Sequence, residues 1–280
     1  MFITDYHVHS GASFDCESPA SIKDILKTAA SRNMNQVAVC DHYDVNWVLD
    51  GSNPAVNFKA SRKQINSAKR QIKCGTELLL GVELGQPHQS PEADAHARKL
   101  LRENNFDFIL CGLHNARNDP DFYYMDYASA DKVMLERMFE RYVCELCELA
   151  QWHEFHALAH ADYPVRYLKI NKIDIDASKY YDLYKEVFKI IIRRGIALEV
   201  NMSGLSRENF RDTMPSLNLL KIYKDMGGEL LLIGSDSHSV AQLANVPGRC
   251  RYVYAKLLEL GYKYISALKD GIFKQVLIEV

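Results

Sequence analysis

FITDYHVHS, residues 2–10, starts as a short apolar run and passes into an alternation that sets Asp5, His7 and His9 two positions apart. Side chains spaced by two on an extended backbone share a face, so the stretch reads as a strand over 2–6 whose end presents a carboxylate and two imidazoles together. The same pattern recurs along the chain. Runs at 36–40 (QVAVC), 77–82 (ELLLGV), 107–112 (DFILCG), 155–159 (FHALA), 196–200 (IALEV) and 230–234 (LLLIG) read as six more strands. Amphipathic stretches near 20–31, 59–73, 92–104, 128–152, 179–194, 215–226 and 249–261 read as the intervening helices. Strand and helix in strict alternation is the pattern of a parallel sheet. Seven such repeats predict a distorted (β/α)7 TIM-like barrel in preference to an open doubly wound sheet. No Gly/Ser/Pro-rich linker or charge run divides the chain, so residues 1–280 are read as a single barrel domain.

Composition excludes several functional classes. With 48% hydrophobic and 25% charged residues the chain reads as an ordinary soluble globular protein, not as a disordered, collagenous or membrane-spanning one. Lys plus Arg (34) nearly balances Asp plus Glu (36), which leaves a net charge of −2 and no basic surface for long nucleic acids. Seven scattered cysteines form an odd set, and the first residues show no basic-then-apolar leader. A reducing, cytoplasmic location and no membrane association are expected. Oligomeric state is not legible.

The polar outliers fall at the strand ends. After the first strand come His7 and His9; the second ends in Asp41-His42, the third in Gly81-Val82-Glu83, the fourth in Gly112-Leu113-His114, the fifth in Ala159-His160-Ala161-Asp162 and the seventh in Ser235-Asp236-Ser237-His238. A barrel gathers the C-terminal ends of its strands at one mouth. One strand-end histidine is ordinarily a loop hydrogen-bonding group, but so many imidazoles and carboxylates in one cavity are costly unless a cation offsets charge and takes lone pairs. Nitrogen and oxygen donors without thiolate suit Zn, Mn or Fe, and the set is large enough for two or three divalent metal ions. Glu83, between the two groups of donors, is the candidate bridge.

These residues carry a resemblance. Asp5-Tyr6-His7-Val8-His9-Ser10, Asp41-His42, Gly81-Val82-Glu83, His114, His160 and Asp236-Ser237-His238, in this order, resemble the polymerase-and-histidinol-phosphatase (PHP) family over nearly the whole chain. Leu113-His114, Asp162-Tyr163 and Arg166 are most similar to its stand-alone histidinol-phosphate phosphatases. The resemblance implies a (β/α)7 barrel with a di- or trinuclear centre. One metal would take His7, His9, Glu83 and Asp236, a second Glu83, His114 and His160, and a third His42, His238 and Asp15. Many relatives carry a histidine where this chain has Asp15, a harder donor. The family also offers a second phosphate-binding arginine after the sixth strand, where Asn201-Met202-Ser203-Gly204 has none and Arg207 follows a few residues on.

The chemistry implied is hydrolysis of a small phosphorylated substrate, most simply L-histidinol phosphate to L-histidinol and phosphate, by a hydroxide bridging the metals. Glu83, Asp162 and Arg166 are the catalytic candidates, and the leaving-group acid is either Asp162 or a metal-bound water. Arg166, Arg207 and Asn115 are the substrate-binding candidates, Arg166 as a planar phosphate fork. Asp5 is expected to orient a ligand histidine. Two alternatives stay open: a phosphodiesterase or nuclease of the same family acting on nucleotides or oligonucleotide ends, and an inactive binding module. Cys144-x-x-Cys147 reads as helix packing, Asp174-x-Asp176 as capping, and His88, His96, His153 and His156 as non-ligands. The run from Phe122 to Tyr127 reads either as an aromatic wall over the substrate or as rim packing.

Overall fold

The computed structural model describes residues 1–16, 18–152 and 155–280. Its strands are β1 (Thr4–Val8), β2 (Gln36–Val39), β3 (His42–Asp44), β4 (Glu77–Gly85), β5 (Phe108–Gly112), β6 (Ala157–Leu158), β7 (Ala197–Asn201), β8 (Leu231–Gly234), β9 (Tyr264–Lys269) and β10 (Ile272–Leu277). Its helices are α1 (Ile22–Ser31), α2 (Val45–Asp50), α3 (Phe58–Gln71), α4 (Pro91–Asn104), α5 (Lys132–Gln151), α6 (Pro164–Ile170), α7 (Tyr181–Arg194), α8 (Leu217–Asp225), α9 (Val240–Ala244) and α10 (Val246–Glu259).

Seven parallel strands run in the order β1-β2-β4-β5-β6-β7-β8, with β3 paired beside the end of β4. The sheet returns on itself where β8 meets β1: Asp236 N donates to His7 O (2.8 Å) and His9 N to Ser237 O (2.9 Å). This is the distorted seven-stranded barrel that the alternation of βα units predicts.

Two layers of apolar packing hold it. Outward-facing Val37, Val39, Leu78, Leu80, Val82 and Leu84 pack under the helices, while inward-facing Tyr6, Ala38, Leu79, Phe108, Ala157, Ala197 and Leu232 fill the lower barrel. The inward rows change character upward: Leu79 gives way to Glu83, Ala197 to Glu199, and Leu232 to Asp236. Period-2 geometry thus stacks a polar layer directly on an apolar plug.

Several boundaries differ from the sequence expectation. The run at 155–159 shrinks to two strand residues, and β1 is displaced two residues towards His9. Ser90 caps α4 with Pro91 in its first turn, while Ser21 and Ser216 cap α1 and α8. The β9–β10 hairpin went unread. It closes the barrel floor, where Leu268 packs on the lower layer, its N–H donates to Tyr6 Oη (2.6 Å), and its carbonyl accepts from Gln36 Nε2 (2.7 Å). Among the described residues no helix is long and apolar enough to cross a membrane.

Candidate metal centre

Glu83 lies fully buried at the end of β4, and its two carboxylate oxygens divide five imidazoles between them. Oε2 lies 2.9 Å from His42 Nδ1, 3.2 Å from His7 Nε2 and 3.6 Å from His9 Nε2. Oε1 lies 2.8 Å from His160 Nε2 and 3.1 Å from His114 Nε2. Asp236 Oδ1 approaches His9 Nε2 (3.4 Å) and His238 Nδ1 (3.6 Å), and Asp15 Oδ2 approaches His238 Nε2 (2.8 Å) and His42 Nε2 (3.3 Å). All nine candidate ligands therefore converge on one mouth.

The cluster fits divalent cations. Potential ligand atoms lie within 4.8 Å of one another in the sets His7-His9-Asp236, Glu83-His114-His160, His9-His42-His238 and His42-Asp44-His114. The second set is one of the implied groupings, the first is another without Glu83, the third joins His42 and His238 to His9 where the implied grouping has Asp15, and the last adds Asp44. His7 Nε2, His9 Nε2, His42 Nδ1 and Glu83 Oε2 are buried without a hydrogen-bond partner. An unmet buried polar atom costs about 1–3 kcal/mol, so four of them facing one another constitute a demand for an electrophile. His114 Nε2 and His160 Nε2 lie 3.3 Å apart, where at most one proton fits between two lone pairs. Burial disfavours charge on Glu83, yet His7, His42 and His114 outweigh it and hold the carboxyl well below its usual range. Burial, reinforced by His238 and His42, drops His9 to about 3, which leaves its lone pair free.

The far sides of the His7, His9 and His114 rings are also fixed, and His160 is held through its backbone. Glu199 Oε1 lies 2.7 Å from His7 Nδ1, and Glu199 Oε2 accepts from His160 N (2.7 Å). Asp44 Oδ1 lies 2.6 Å from His114 Nδ1. His9 Nδ1 meets Ser13 Oγ (3.1 Å), which donates to Asp41 (3.0 Å). Carboxylates behind ligand imidazoles fix the tautomer and raise donor strength. Both outer carboxylates sit over a strand glycine: a Cβ on Gly234 would lie 2.0 Å from Glu199 Oε1, and one on Gly85 would lie 2.0 Å from Asp44 Oδ1. Neither Glu199 nor Asp44 was singled out from sequence. The available signals were an acid inside the apolar run IALEV and an acid two residues beyond His42.

Asp5 is a correction. The pairing of β1 with β2 runs Asp5 to Val37 and then Val8 to Val39, so a bulge sets Tyr6 and His7 opposite Ala38 and breaks the expected alternation. Asp5 consequently leaves the histidine face. It accepts from Ser235 N (2.9 Å), Ser235 Oγ (2.5 Å) and His7 N (3.2 Å), pinning β1 to β8 rather than orienting an imidazole. Its burial pushes the carboxyl up to about 7. At the other two ends the backbone turns back on itself, with φ of +57° at Asp236 and +23° at His160.

The substrate candidates divide. Arg166 is buried, donates to Asp236 Oδ2 (2.5 Å) and to Ser203 Oγ, and stacks 5.3 Å over the Tyr163 ring. Arg207 lies near it at the surface, where partial desolvation and then the Arg166 charge lower its pKa. Asn115 is spent inside its loop, where its amide donates to Ala116 O (3.0 Å) and Asp119 O (3.1 Å). Asp162 accepts from Ser216 N (2.9 Å); burial lifts it to about 8, and the charged or ionisable groups acting on it are Asp212 and Arg166, none of them a candidate ligand. Asp121, unread in the sequence, lies buried beside His114, and burial raises its carboxyl to about 6.

The discounted motifs have structural roles. Cys147 Sγ approaches Leu183 O (3.8 Å), Asp176 caps the turn at Ser178, and Asp174 pairs with Lys169 (2.8 Å). His156 Nδ1 accepts from Ile109 N (2.9 Å), His96 Nε2 meets Tyr43 Oη (2.7 Å), and His88 joins none of the described clusters. His153 lies outside the described residues.

A family model described as "PHP domain" matches residues 5–203. A "Probable histidinol-phosphatase" of Clostridium acetobutylicum is 27% identical over 238 residues, covering 84% of this chain and 86% of its own. Another of that name from Thermotoga maritima is 26% identical over 271 residues, 95% of each chain. Among solved structures, a histidinol phosphate phosphatase from Lactococcus lactis subsp. lactis, complexed with zinc, L-histidinol and phosphate, matches 97% of this chain and 98% of its own. Its TM-score is 0.74 at 17% identity, which establishes a shared fold. Taken with the ordered histidine and carboxylate motifs, a match over well more than half its length shows that this chain belongs to the PHP domain family.

Proposed function

We propose that the chain is a metal-dependent phosphomonoesterase that hydrolyses L-histidinol phosphate to L-histidinol and phosphate. The observation that carries this reading is Glu83 dividing five imidazoles between its two oxygens, with unpaired buried nitrogens turned to the same space. The names of the relatives from Clostridium acetobutylicum and Thermotoga maritima support the substrate. His7, His9, Glu83 and Asp236, then Glu83, His114 and His160, and then His42, His238 and Asp15 would hold two or three divalent ions of Zn, Mn or Fe. Bound there, they supply an activated water and neutralise charge on the phosphoryl oxygens.

The protein's own part is positioning. Glu199 and Asp44 hold His7 and His114 in one tautomer, so nitrogen lone pairs are aimed before substrate arrives. Arg166, already poised on Asp236 over the Tyr163 ring, presents its fork to the phosphate, and Arg207 adds charge at the rim. Asp162, kept protonated by burial, is the residue of this set that can carry a proton near neutrality. Residues 1–280 act as one barrel unit, and the seven free thiols suit the cytoplasm.

The test is phosphate release from L-histidinol phosphate after defined loading with Mn, Zn or Fe. Release is expected to vanish on chelation and return on reloading. Glu83→Gln and His160→Ala are expected to lower turnover by at least about 100-fold with the fold retained. Near-wild-type rates in both variants overturn the assignment of the centre.

A further inference from the structure

The loop between β5 and α5 has two sides. Its inner side packs Phe122 against Tyr142 (5.5 Å between ring centroids) and Tyr163 (6.3 Å), which makes that part of the aromatic run rim packing. Its outer side faces α5 across a cleft of about 540 Å³, a size that takes a small molecule. Neither a candidate metal ligand nor Arg166 or Arg207 lines this cleft, so it is a place apart from the centre. On the α5 side Met134, Arg137, Met138 and Arg141 recur at the three- and four-residue spacing of one helix face. Met134 (54% exposed) and its neighbour Val133 (57%) leave apolar surface in water at the same spot. Contiguous exposed apolar groups beside a cleft are the mark of a binding surface.

The cleft is preformed. Phe122 N donates to His114 O (3.0 Å), Asn115 Nδ2 to Asp119 O (3.1 Å) and Tyr127 Oη to Phe122 O (2.8 Å), so the loop cannot settle onto α5 without breaking bonds. Its carboxylates are already engaged. Asp119 pairs with Arg141 Nη1 (2.9 Å), whose Nη2 donates to Arg117 O (2.9 Å). Asp131 accepts from Met134 N (2.7 Å), and Asp126 accepts from Ser129 Oγ (2.7 Å) and Ala128 N (3.1 Å). Arg137 is the exception. Among the described residues its guanidinium has neither an ion-pair nor a hydrogen-bond partner, although three carboxylates line the same cleft.

We propose that this cleft is a second binding site, for a small molecule that carries one carboxylate on an apolar or aromatic body. The carboxylate takes the two-pronged Arg137 guanidinium, and the body lies on Met125, Met134 and Met138, whose unbranched thioethers adapt to a flat or extended group. One unpaired cation selects a monoanion. A phosphate ester brings a second charge that meets no cation there and faces Asp119, Asp126 and Asp131, so it is disfavoured. The site does not depend on the reaction proposed above.

The probe is phenylbutyrate, with phenylbutanol as its uncharged counterpart, titrated calorimetrically into the metal-loaded protein in excess phosphate so that anion positions at the centre are already filled. One phenylbutyrate per chain is expected to bind with a Kd at or below about 1 mM, and phenylbutanol about tenfold more weakly or worse. Arg137→Gln is expected to raise the phenylbutyrate Kd about tenfold or more, and so is Met134→Asp, which sets a like charge at an exposed position. Lys59→Gln, which removes the same charge from the exposed face of α3, is expected to leave it unchanged. No saturable heat, equal Kd values for acid and alcohol, or an Arg137→Gln value within twofold of wild type overturns the proposal. A dimer seen by sedimentation that Met134→Asp dissociates assigns the cleft to a second copy of the chain and overturns it as well.

Discussion

The Glu199 carboxylate lies 2.7 Å from Nδ1 of His7, a residue 192 positions earlier in the chain. Both are fully or almost fully buried, and the same carboxylate holds the backbone of His160 through its other oxygen. One side chain thus steadies two candidate ligands on opposite sides of Glu83. Glu199→Gln keeps the shape and removes the charge. It is expected to weaken metal binding about 10- to 100-fold with the barrel intact, as read by competition with a chromogenic chelator and by circular dichroism.

Gly234 makes room for that carboxylate. A Cβ there would lie 2.0 Å from Glu199 Oε1 and 2.8 Å from His7 Cβ, so Gly234→Ala displaces the pair. Urea denaturation of the metal-free protein is expected to show a loss of about 1–3 kcal/mol. Gly248, inside α10 with open space around its Cα, is the control. Gly248→Ala is expected to leave stability equal or raise it by up to about 1 kcal/mol.

Protons compete with metal at this site. Burial opposes charge on His7, His42 and His114, but Glu83 with Glu199, Asp15 and Asp44 outweighs it and raises their pKa values well above the ordinary imidazole range. A raised folded-state value stabilises the fold fully below the unfolded imidazole pKa of about 6.5, and that stability is lost as pH climbs through the raised values. The Tm of the metal-free protein is therefore expected to fall on going from neutral to alkaline pH. Metal takes the deprotonated imidazoles, so loading releases protons and apparent affinity weakens as pH drops. Calorimetric titration in buffers of different ionisation enthalpy counts those protons, and a count of zero contradicts the pairing.

Asp15 is the most exposed of the nine candidate ligands, with a side chain 35% accessible and in contact with His42 and His238 alone among them. Asp15→Ala is expected to remove at most one metal equivalent per chain, whereas Glu83→Gln removes more. Metal analysis after exhaustive dialysis distinguishes them. An equal loss in both variants means that Asp15 does not define a separate position.

Much of this architecture is legible in the sequence because strand periodicity and strand-end chemistry are local. A short apolar run such as QVAVC or ELLLGV marks a strand without reference to its neighbours, and a histidine one or two residues past such a run is carried to the mouth by the barrel itself. Non-local or backbone-encoded features were not legible. The roles of Glu199 and Asp44 depend on partners 192 and 70 residues away, and the displacement of Asp5 depends on one extra residue in the β1 ladder. Asn115 beside His114 and Asp162 beside His160 look alike as neighbours of candidate ligands. Their side chains are absorbed by loop carbonyls in one case and by Ser216 in the other. Proximity in sequence to a ligand is therefore a poor guide once the strand has ended.

The closed floor has one more consequence. With Leu268 seated on the lower layer and both its backbone groups bonded to Tyr6 and Gln36, the described residues cover the floor, and the candidate ligands open towards the mouth beside Phe14, Trp47 and Tyr124. Whatever enters deepest must leave last. In the proposed reaction phosphate would sit over the candidate ligands and the alcohol nearer the mouth, so the alcohol would leave first and phosphate would be the product that blocks the next substrate.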